Sequence, residues 1–452
     1  MASIRRDVDM TTGNITRHIL TFAFPLLLGN LFQQFYNLVD TYVVGNFATN
    51  EAYAAVGSVT PIVNTFIGLF SGFATGAGVV ISQYFGGHRM DDVKKTVHTA
   101  AAIALVLCPI FTVLGLWITP YMLQWNRIPE NVYPESMTYL RIYFAGISGL
   151  LIYNMGSGIL RAVGDSRRPF YYLVVCCLMN VVLDLILVVK FHMGTRGVAL
   201  ATALSQCVSG VLVIIQLLRT ESCVRVTPKQ LRLHLSYLRQ IVTVGIPQGL
   251  QMAITALSNV FIQSYINHFG DHIISAWTTY AKVDTILFLP SQSIAMAVTT
   301  FVGQNLGSGQ VERARMGVKR ALTACLIITV VLMIPVLLFA PSIVQVFNKT
   351  PAVIQYGTLL LRILTPFYIV NCFNQIFSSG LRGAGNSKTP MIIMLSSFVL
   401  FRQCYMFVIS RFFDSIIPIA MGYPAGWILC TTITTIYYCR NKLDTSRISG
   451  KH

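Results

Sequence analysis

Three aspartates lie inside stretches of sequence that are otherwise apolar. Thirteen of the 16 acidic residues fall in polar segments, but Asp40, Asp184 and Asp284 do not. If these stretches cross a bilayer, each carboxyl group costs about 2.5–3.5 kcal/mol on insertion scales, and such residues usually face a cavity and take part in function. The three carboxyl groups are therefore the first candidates for binding an ion or a substrate.

Asp40 has polar companions on one face of its expected helix. The spacing i, i+3, i+4 and i+7 places four side chains in a single stripe: Gln33, Tyr36, Asn37 and Asp40. Asp184 likewise has Asn180 one turn away on its own helix. At a rise of about 1.5 Å per residue, Asp40, Asp184 and Thr202 each lie about 7–9 Å from the outer end of their helices. We expect these side chains to converge at one depth.

Two carboxylates, an amide and a hydroxyl together suit one kind of ligand. Asp40, Asn180, Asp184 and Thr202 offer oxygen atoms, which a hard cation such as Na⁺ prefers. Two carboxyl groups buried side by side could instead hold a proton between them, because both cannot ionise easily in an apolar setting. A hydrogen-bond network that only joins the helices is the third interpretation.

The other polar or special residues within apolar stretches are candidates for a substrate cavity or a hinge. The predicted substrate cavity takes polar side chains from several helices: Gln33, Tyr36, Asn37, Asn154 and Asp284. Lys282 is two residues from Asp284, and residues two apart on a helix do not face each other. Pro25 can bend its helix and is the predicted hinge. Three glycines spaced by four predict close helix packing: Gly68, Gly72 and Gly76.

Catalytic motifs are missing from the sequence. It contains no CxxC pair, HExxH motif, Walker loop, dinucleotide-binding glycine motif or Ser-His-Asp arrangement. A zinc module, ATP hydrolysis and a membrane-embedded enzyme therefore have no support. We expect a protein that is not an enzyme and that needs no cofactor beyond a coupling ion.

The elements that must position these residues are membrane spans. Hydrophobic residues make up 54% of the 452 residues and charged residues 11%, against about 25% charged residues in soluble domains. A bilayer requires about 20 apolar residues per helix. Twelve stretches qualify and predict an all-α membrane protein: 18–45, 53–84, 97–119, 136–160, 169–190, 194–219, 239–268, 272–304, 318–340, 352–379, 389–411 and 415–438.

Lysine and arginine residues set the orientation of these spans. With the N-terminus in the cytoplasm, twenty-four of the 33 basic residues fall in cytoplasmic segments and five in outer segments, as the positive-inside rule requires. Both termini are thus predicted to be cytoplasmic. The net charge of +17 comes from residues dispersed among loops, so the lipid bilayer and not a nucleic acid is the expected partner.

The second half of the sequence repeats the first at an offset of 221 residues. Residues 160–169 match residues 381–390 in pattern, and further pairs share the offset. Each copy holds six spans, so both enter from the same side, and two bundles related by a pseudo-twofold axis along the membrane normal are expected, with a cavity between them. The predicted parts are residues 1–221, a cytoplasmic linker at 222–238 with a short surface helix, and residues 239–452.

The polar cluster is not repeated in the second half. The offset places Ile262, Phe401 and Tyr405 opposite Asp40, Asn180 and Asp184, with Arg402 close by. A second cation site is therefore not expected there, and the two halves have diverged in role.

These residues resemble the multidrug and toxic compound extrusion (MATE) transporters. The resemblance rests on Phe24-Pro25, Asn37-Leu38-Val39-Asp40, Gln83-Tyr84-Phe85-Gly86, the two Leu-Arg-x-x-Gly-[Asp/Asn]-Ser segments and residues 197–202, and it covers essentially the whole chain. It implies two six-helix bundles and cation-coupled export of organic, often cationic and aromatic, compounds. In prokaryotic members the cation site carries over to Asp40, Asn180, Asp184 and Thr202.

The resemblance leaves two points open: the identity of the coupling ion and the class of substrate. Other branches of the family place a Glu on the seventh span and an Asp on the tenth, where this sequence has glutamines and asparagines. The expectation is a monomeric antiporter for small organic substrates in a bacterial cytoplasmic (inner) membrane, driven by Na⁺ or H⁺. The alternative is a related flippase for a lipid-linked saccharide, whose phosphates Lys282 and Arg402 could bind.

Overall fold

The chain forms twelve long helices in the part that the structure, a computed structural model, describes: residues 7–126, 128–441 and 443. That part contains no β-strand. Each helix is long and apolar enough to cross a membrane, and a helix satisfies its backbone polar groups internally, as lipid requires. The predicted all-α fold with twelve spans is confirmed. The predicted cytoplasmic ends, residues 1–6 and 444–452, lie outside the described residues.

The helices follow the two predicted sets of six. The first set is α1 Ile15–Phe47, α2 Asn50–Gly86, α3 Met90–Trp125, α4 Tyr133–Ala162, α5 Arg167–Lys190 and α6 Gly194–Arg219. The second set is α7 Leu235–Asn267, α8 Asp271–Gly307, α9 Val311–Leu338, α10 Pro351–Gly383, α11 Lys388–Phe412 and α12 Ile416–Asn441. A short helix, Ala340–Phe347, precedes α10. The helices α5 and α11 contain π-helical stretches, Leu185–Lys190 and Leu395–Phe401.

The repeated loop segment forms the same turn in both halves. Gly164 and Gly385 have positive φ values, +86° and 82°, which glycine adopts without steric cost. The next residue then caps the following helix. Asp165 Oδ1 accepts the backbone N–H groups two and three residues later, both at 3.1 Å. Asn386 Oδ1 accepts the N–H group three residues later at 3.3 Å. The internal repeat therefore extends to backbone geometry and hydrogen bonding.

Contacts divide the chain into two compact units. Unit 1 holds the described residues up to Asp9 together with Phe24–Gly249, and unit 2 holds Met10–Ala23 and the residues from Leu250 onward. Within unit 1, α4 packs against α2, α3 and α6; within unit 2, α8 packs against α9 and α10. These divisions fall inside α1 and α7, whereas the boundaries drawn from the repeat lie in the connector and stay predictions.

Helices α2 and α7 approach each other through glycines inside unit 1. A Cβ atom added to Gly72 would lie 2.4 Å from the carbonyl oxygen of Gly245, and one added to Gly76 would lie 2.4 Å from that of Ile241. No larger residue fits at these positions without a shift of backbone. The close packing predicted from the glycine spacing is confirmed at Gly72 and Gly76.

The connector between α6 and α7 differs from the short surface helix predicted within residues 222–238. It contains only a single 3₁₀ turn, Pro228–Gln230, and α7 already begins at Leu235. One reason is that the backbone after this turn bonds to α3: the His234 N–H, which a longer helix would direct to the Gln230 carbonyl, donates to Thr99 Oγ1 at 3.4 Å. The Thr227 N–H before the turn also donates to α3, to His98 Nε2 at 3.0 Å. The predicted helix is thereby corrected to one turn.

Candidate functional site

The predicted cation-site residues come from α1, α5 and α6 within unit 1. The carboxyl groups of Asp40 on α1 and Asp184 on α5 lie within hydrogen-bonding distance of each other. Asn180 lies one turn before Asp184, and the two side chains are 1% and 0% exposed. Thr202 on α6 lies near Tyr139 of α4, which is also close to both carboxyl groups, and the Thr202 hydroxyl has no hydrogen-bond partner among the described residues.

Several polar atoms of this cluster have no hydrogen-bond partner in the described part of the chain. Neither carboxylate oxygen of Asp184 receives a donor, and both the amide oxygen and the amide nitrogen of Asn180 are unpaired. Buried polar groups are paired in the great majority of cases. Two carboxylates in contact, with no donor between them, are what a bound cation or a proton would satisfy.

Among the described residues, no basic side chain forms an ion pair with either carboxylate. None of the ion pairs among the described residues includes Asp40 or Asp184; they join Arg89 to Asp92, Arg168 to Asp165, Arg315 to Glu312 and His268 to Asp414. The described residues also contain no group of three or more His, Cys, Asp or Glu that could hold a metal ion. The donor set thus fits a monovalent hard cation or a proton better than a transition metal.

Two tyrosines of α4 belong to this site and were missed in the sequence. Tyr139 and Tyr143 are 7% and 2% exposed, and their rings stack at a centroid distance of 6.2 Å. Tyr139 lies near both carboxyl groups, and Tyr143 lies near Gln206 of α6. The sequence shows that these tyrosines are one helical turn apart and therefore share a face of α4. It does not show that this face lies near Asp40 of α1.

The residues predicted for a substrate cavity lie in different settings. On α1, Gln33 and Asn37 are exposed, and Tyr36 is half-buried beside Asp40. On α4, the amide of Asn154 donates to the Leu150 carbonyl one turn earlier, at 3.0 Å, so its own helix satisfies it. The stripe on α1 therefore offers polar groups continuous with the cation site.

Asp284, the remaining cavity candidate, lies in unit 2 among aromatic side chains. Its Oδ1 accepts hydrogen bonds from the hydroxyls of Tyr280, at 3.4 Å, and of Tyr368. Lys282 points elsewhere and lies over the Phe347 ring at 5.6 Å, as expected for residues two apart. Asp284 is thus a carboxylate held by two phenols and without a basic partner among the described residues.

The second half uses the positions opposite the cation site differently. Ile262 is 1% exposed and belongs to an apolar core, and the Tyr405 hydroxyl donates to the Pro418 carbonyl at 3.1 Å. Arg402 is 4% exposed and its guanidinium lies 4.7 Å from the centre of the Tyr423 ring. Phe401 is the residue that corresponds to Asn180, so the second half has an arginine directly after this position.

The predicted hinge, Pro25, is buried within α1, which continues through it from Ile15 to Phe47. A proline inside a helix removes one backbone hydrogen bond. The division of the chain into units falls between Ala23 and Phe24, immediately before this proline.

Comparisons with known proteins agree with this architecture. A family model described as MatE matches residues 25–186 and 247–406, one segment in each half. The chain is 28% identical to "Probable multidrug resistance protein YpnP" of Bacillus subtilis (strain 168), over 95% of this chain and 96% of the relative. It is 23% identical to an "FAD transporter" of Shewanella oneidensis, over 86% and 87% of the two chains.

A solved structure shares the fold. The structure described as an outward-facing conformation of a multidrug resistance MATE family transporter of the MOP superfamily matches with a TM-score of 0.92. The match covers 98% of this chain and 100% of that chain at 21% sequence identity.

Proposed function

The chain belongs to the MatE family of multidrug efflux transporters, and we propose that it exports organic compounds by antiport against Na⁺ or H⁺. The resemblance noted in the sequence is thereby confirmed at the level of the family. One observation carries the proposal of ion coupling: the carboxyl groups of Asp40 and Asp184 lie in contact, while Asp184 and Asn180 keep unpaired polar atoms.

The ion binds where these unpaired atoms meet. Asp40, Asp184, Asn180 and Thr202 supply two charged and two neutral oxygen atoms, a set that suits Na⁺. A proton shared by the two carboxyl groups would also join Asp40 to Asp184, and it would not require the amide of Asn180 as a ligand. No other cofactor enters the proposal.

Coupling requires that the ion binds one conformation of the transporter more tightly than the other, because a ligand with equal affinity for both shifts nothing. Pro25 in α1 is the proposed hinge between these conformations. One charge moving across 100 mV contributes about 2.3 kcal/mol, and a tenfold ion gradient about 1.4 kcal/mol. Together they suffice to drive a substrate uphill by alternating access.

The proposed substrates are small amphipathic aromatic compounds, including organic cations. The polar stripe Gln33, Tyr36 and Asn37 lies on the same helix as Asp40. In unit 2, Asp284 offers a negative charge beside aromatic rings, and rings of this kind attract organic cations.

The chain is a multi-pass membrane protein whose relatives are bacterial. We place it in the cytoplasmic membrane with both termini inside, on the distribution of lysine and arginine, and as a monomer. The family consists of transporters and not of enzymes, in agreement with the missing catalytic motifs.

Efflux from proteoliposomes tests the proposal. An imposed Na⁺ or pH gradient should drive export of an aromatic cation by the wild type, and Asp184→Asn and Asp40→Asn should reduce it to the rate of protein-free liposomes. Asp414→Asn is the matched control, because the Asp414 side chain is 88% exposed. Pro25→Ala should slow transport without removing its dependence on the gradient.

Full gradient-driven efflux by both Asp184→Asn and Asp40→Asn would show that the site is assigned wrongly. Transport of a labelled lipid-linked saccharide, but of no organic compound, would establish the flippase instead.

A further inference from the structure

Arg402 is a buried cation in a membrane-spanning helix of unit 2. Its side chain is 4% exposed, and α11 extends on both sides of it. None of the ion pairs in the described part of the chain involves it. A charge in this position is costly unless an opposite charge or a polar cavity compensates it.

Neutral groups satisfy only part of the guanidinium. Nη2 donates to Ser258 Oγ at 3.2 Å and to Asn259 Oδ1 at 3.0 Å, and the Tyr423 ring covers the group at 4.7 Å. Nε has no acceptor in the described residues. These contacts fix the orientation of the guanidinium but leave its positive charge without a counter-ion.

The carboxylate of Asp284 does not serve as that counter-ion. Asp284 and Arg402 both act electrostatically on Tyr423, but Asp284 is held by the hydroxyls of Tyr280 and Tyr368. The two opposite charges are therefore both near Tyr423 but form no ion pair with each other.

The guanidinium lies just below the surface of unit 2. Asn259, which accepts one of its hydrogen bonds, is exposed, so the guanidinium is bound to a side chain that reaches the surface of unit 2. The ring of Tyr423 packs against Trp277 and Trp427, at centroid distances of 5.4 and 6.1 Å. Trp277 and Trp427 are buried and Tyr423 is partly exposed, so Tyr423 is the partly exposed aromatic ring next to the positive charge.

We propose that Arg402 forms an anion subsite that takes the carboxylate of an aromatic substrate, with the Tyr423 ring providing the surface against which the aromatic ring of the substrate packs. The guanidinium pairs with a carboxylate through parallel N–H groups, and Nε is free to supply one of them. This subsite rests on the proposed export function, because it extends its substrates from organic cations to aromatic acids and zwitterions.

Binding to the purified full-length protein in detergent tests the subsite without any ion gradient. The probes are 1-naphthoate, the neutral 1-naphthamide and the cation 1-naphthylmethylammonium. Wild type should bind 1-naphthoate about tenfold more tightly than 1-naphthamide, since hydrogen bonds to charged groups are stronger than neutral ones. Arg402→Met should remove this preference and leave the Kd of 1-naphthamide unchanged.

Arg411→Gln is the matched control, because Arg411 is an exposed arginine near the end of the same helix and lies over Phe407 at 4.9 Å. It should keep the preference for 1-naphthoate, and Arg402→Lys should keep part of it. Because binding is measured without any ion gradient, a failure of ion coupling in the efflux assay and a failure of this subsite are distinguishable.

Thermal unfolding separates ligand binding from a structural role. Since Arg402→Met removes an unpaired buried charge, it should unfold at or above the wild-type temperature, and 1-naphthoate should raise the unfolding midpoint of the wild type but not that of Arg402→Met. Equal binding of all three probes by the wild type, or a variant that loses stability and all three probes together, would overturn the proposal. So would stabilisation by phosphatidylglycerol in nanodiscs but not by 1-naphthoate, which would assign Arg402 to lipid phosphate.

Discussion

Asp184 and Arg402 each border a stretch of π-helix, the first directly before Leu185–Lys190 and the second directly after Leu395–Phe401. A π-helical turn widens the helix and breaks the regular i to i−4 pattern, and such turns are frequent at functional sites. The two buried charges of the equivalent helices α5 and α11 thus share a local backbone feature, although one is an acid and the other a base.

Removing the unpaired amide beside Asp184 should separate Na⁺ coupling from H⁺ coupling. Asn180→Leu removes one oxygen ligand, so Na⁺-driven efflux should fall about tenfold, which corresponds to about 1.4 kcal/mol, whereas efflux driven by a pH gradient should persist. The variant should also be more stable, by about 1–3 kcal/mol, because it replaces a buried unsatisfied group by an apolar one of similar shape. Efflux assays with each gradient and thermal unfolding measure both effects. A folded variant that loses pH-driven efflux would contradict the prediction.

The close approach of α2 and α7 should tolerate no side chain at Gly72. A Cβ atom there would lie 2.4 Å from the Gly245 carbonyl, so Gly72→Ala should lower stability by about 1–3 kcal/mol, as overpacking does. Gly57 on the same helix is the control, since a Cβ atom there meets nothing within 4 Å. Gly57→Ala should be neutral or stabilising by about 0.5–1 kcal/mol. Equal unfolding temperatures for the two variants would show that the helices are not in contact.

The cap at Asp165 should be replaceable by its counterpart from the second half. Asp165→Ala leaves two backbone N–H groups of α5 unpaired and should cost about 1–2 kcal/mol. Asp165→Asn should cost only a few tenths of that, because Asn386 caps the equivalent helix with the same amide oxygen. Thermal unfolding of both variants in detergent is the measurement. A loss as large in Asp165→Asn as in Asp165→Ala would mean that the charge and not the cap matters.

The thiol of Cys223 in the connector should react slowly at neutral pH. Burial raises the pKa of this thiol, and the hydroxyl of Ser222 opposes the shift only in part. The thiolate is the reactive form, so its fraction stays low near neutral pH and rises at a higher pH than for an ordinary thiol. Alkylation by N-ethylmaleimide over a pH series measures this in a variant in which Cys223 is the single cysteine.

The reference for that series is a single cysteine introduced at the exposed Arg225 in place of Cys223. Its reaction should reach the same rate at a lower pH. Identical pH profiles for the two cysteines would contradict the burial of Cys223.

The sequence was informative about positions along each helix and less so about partners across helices. The depths of Asp40 and Asp184 follow from counting residues along two spans, and these carboxyl groups do meet. Tyr139 was overlooked because its role depends on how α4 turns relative to α1, which no spacing within α4 reveals. The spacing of Gly72 and Gly76 predicted close helix packing but not its partner, which is α7 of the second repeat.

The prediction of a short helix in the connector was wrong because hydrogen bonds to another helix replace those within the connector. Thr227 and Pro228 resemble the start of a helix, yet the helix stops after one turn and the His234 N–H bonds Thr99 of α3 instead of the Gln230 carbonyl. The π-helical stretches next to Asp184 and Arg402 could not be predicted from the sequence, because their residues are as apolar as those of an ordinary membrane-spanning α-helix.

The turn at Gly164 and Gly385 is the same in both repeats, although the side chains of the two repeats have diverged. Both copies retain the geometry that aims the next helix, so the scaffold does not depend on which polar side chains each copy carries. The two halves can therefore differ in their buried charges, Asp184 in one and Arg402 in the other, while the turn that directs each of these helices stays the same.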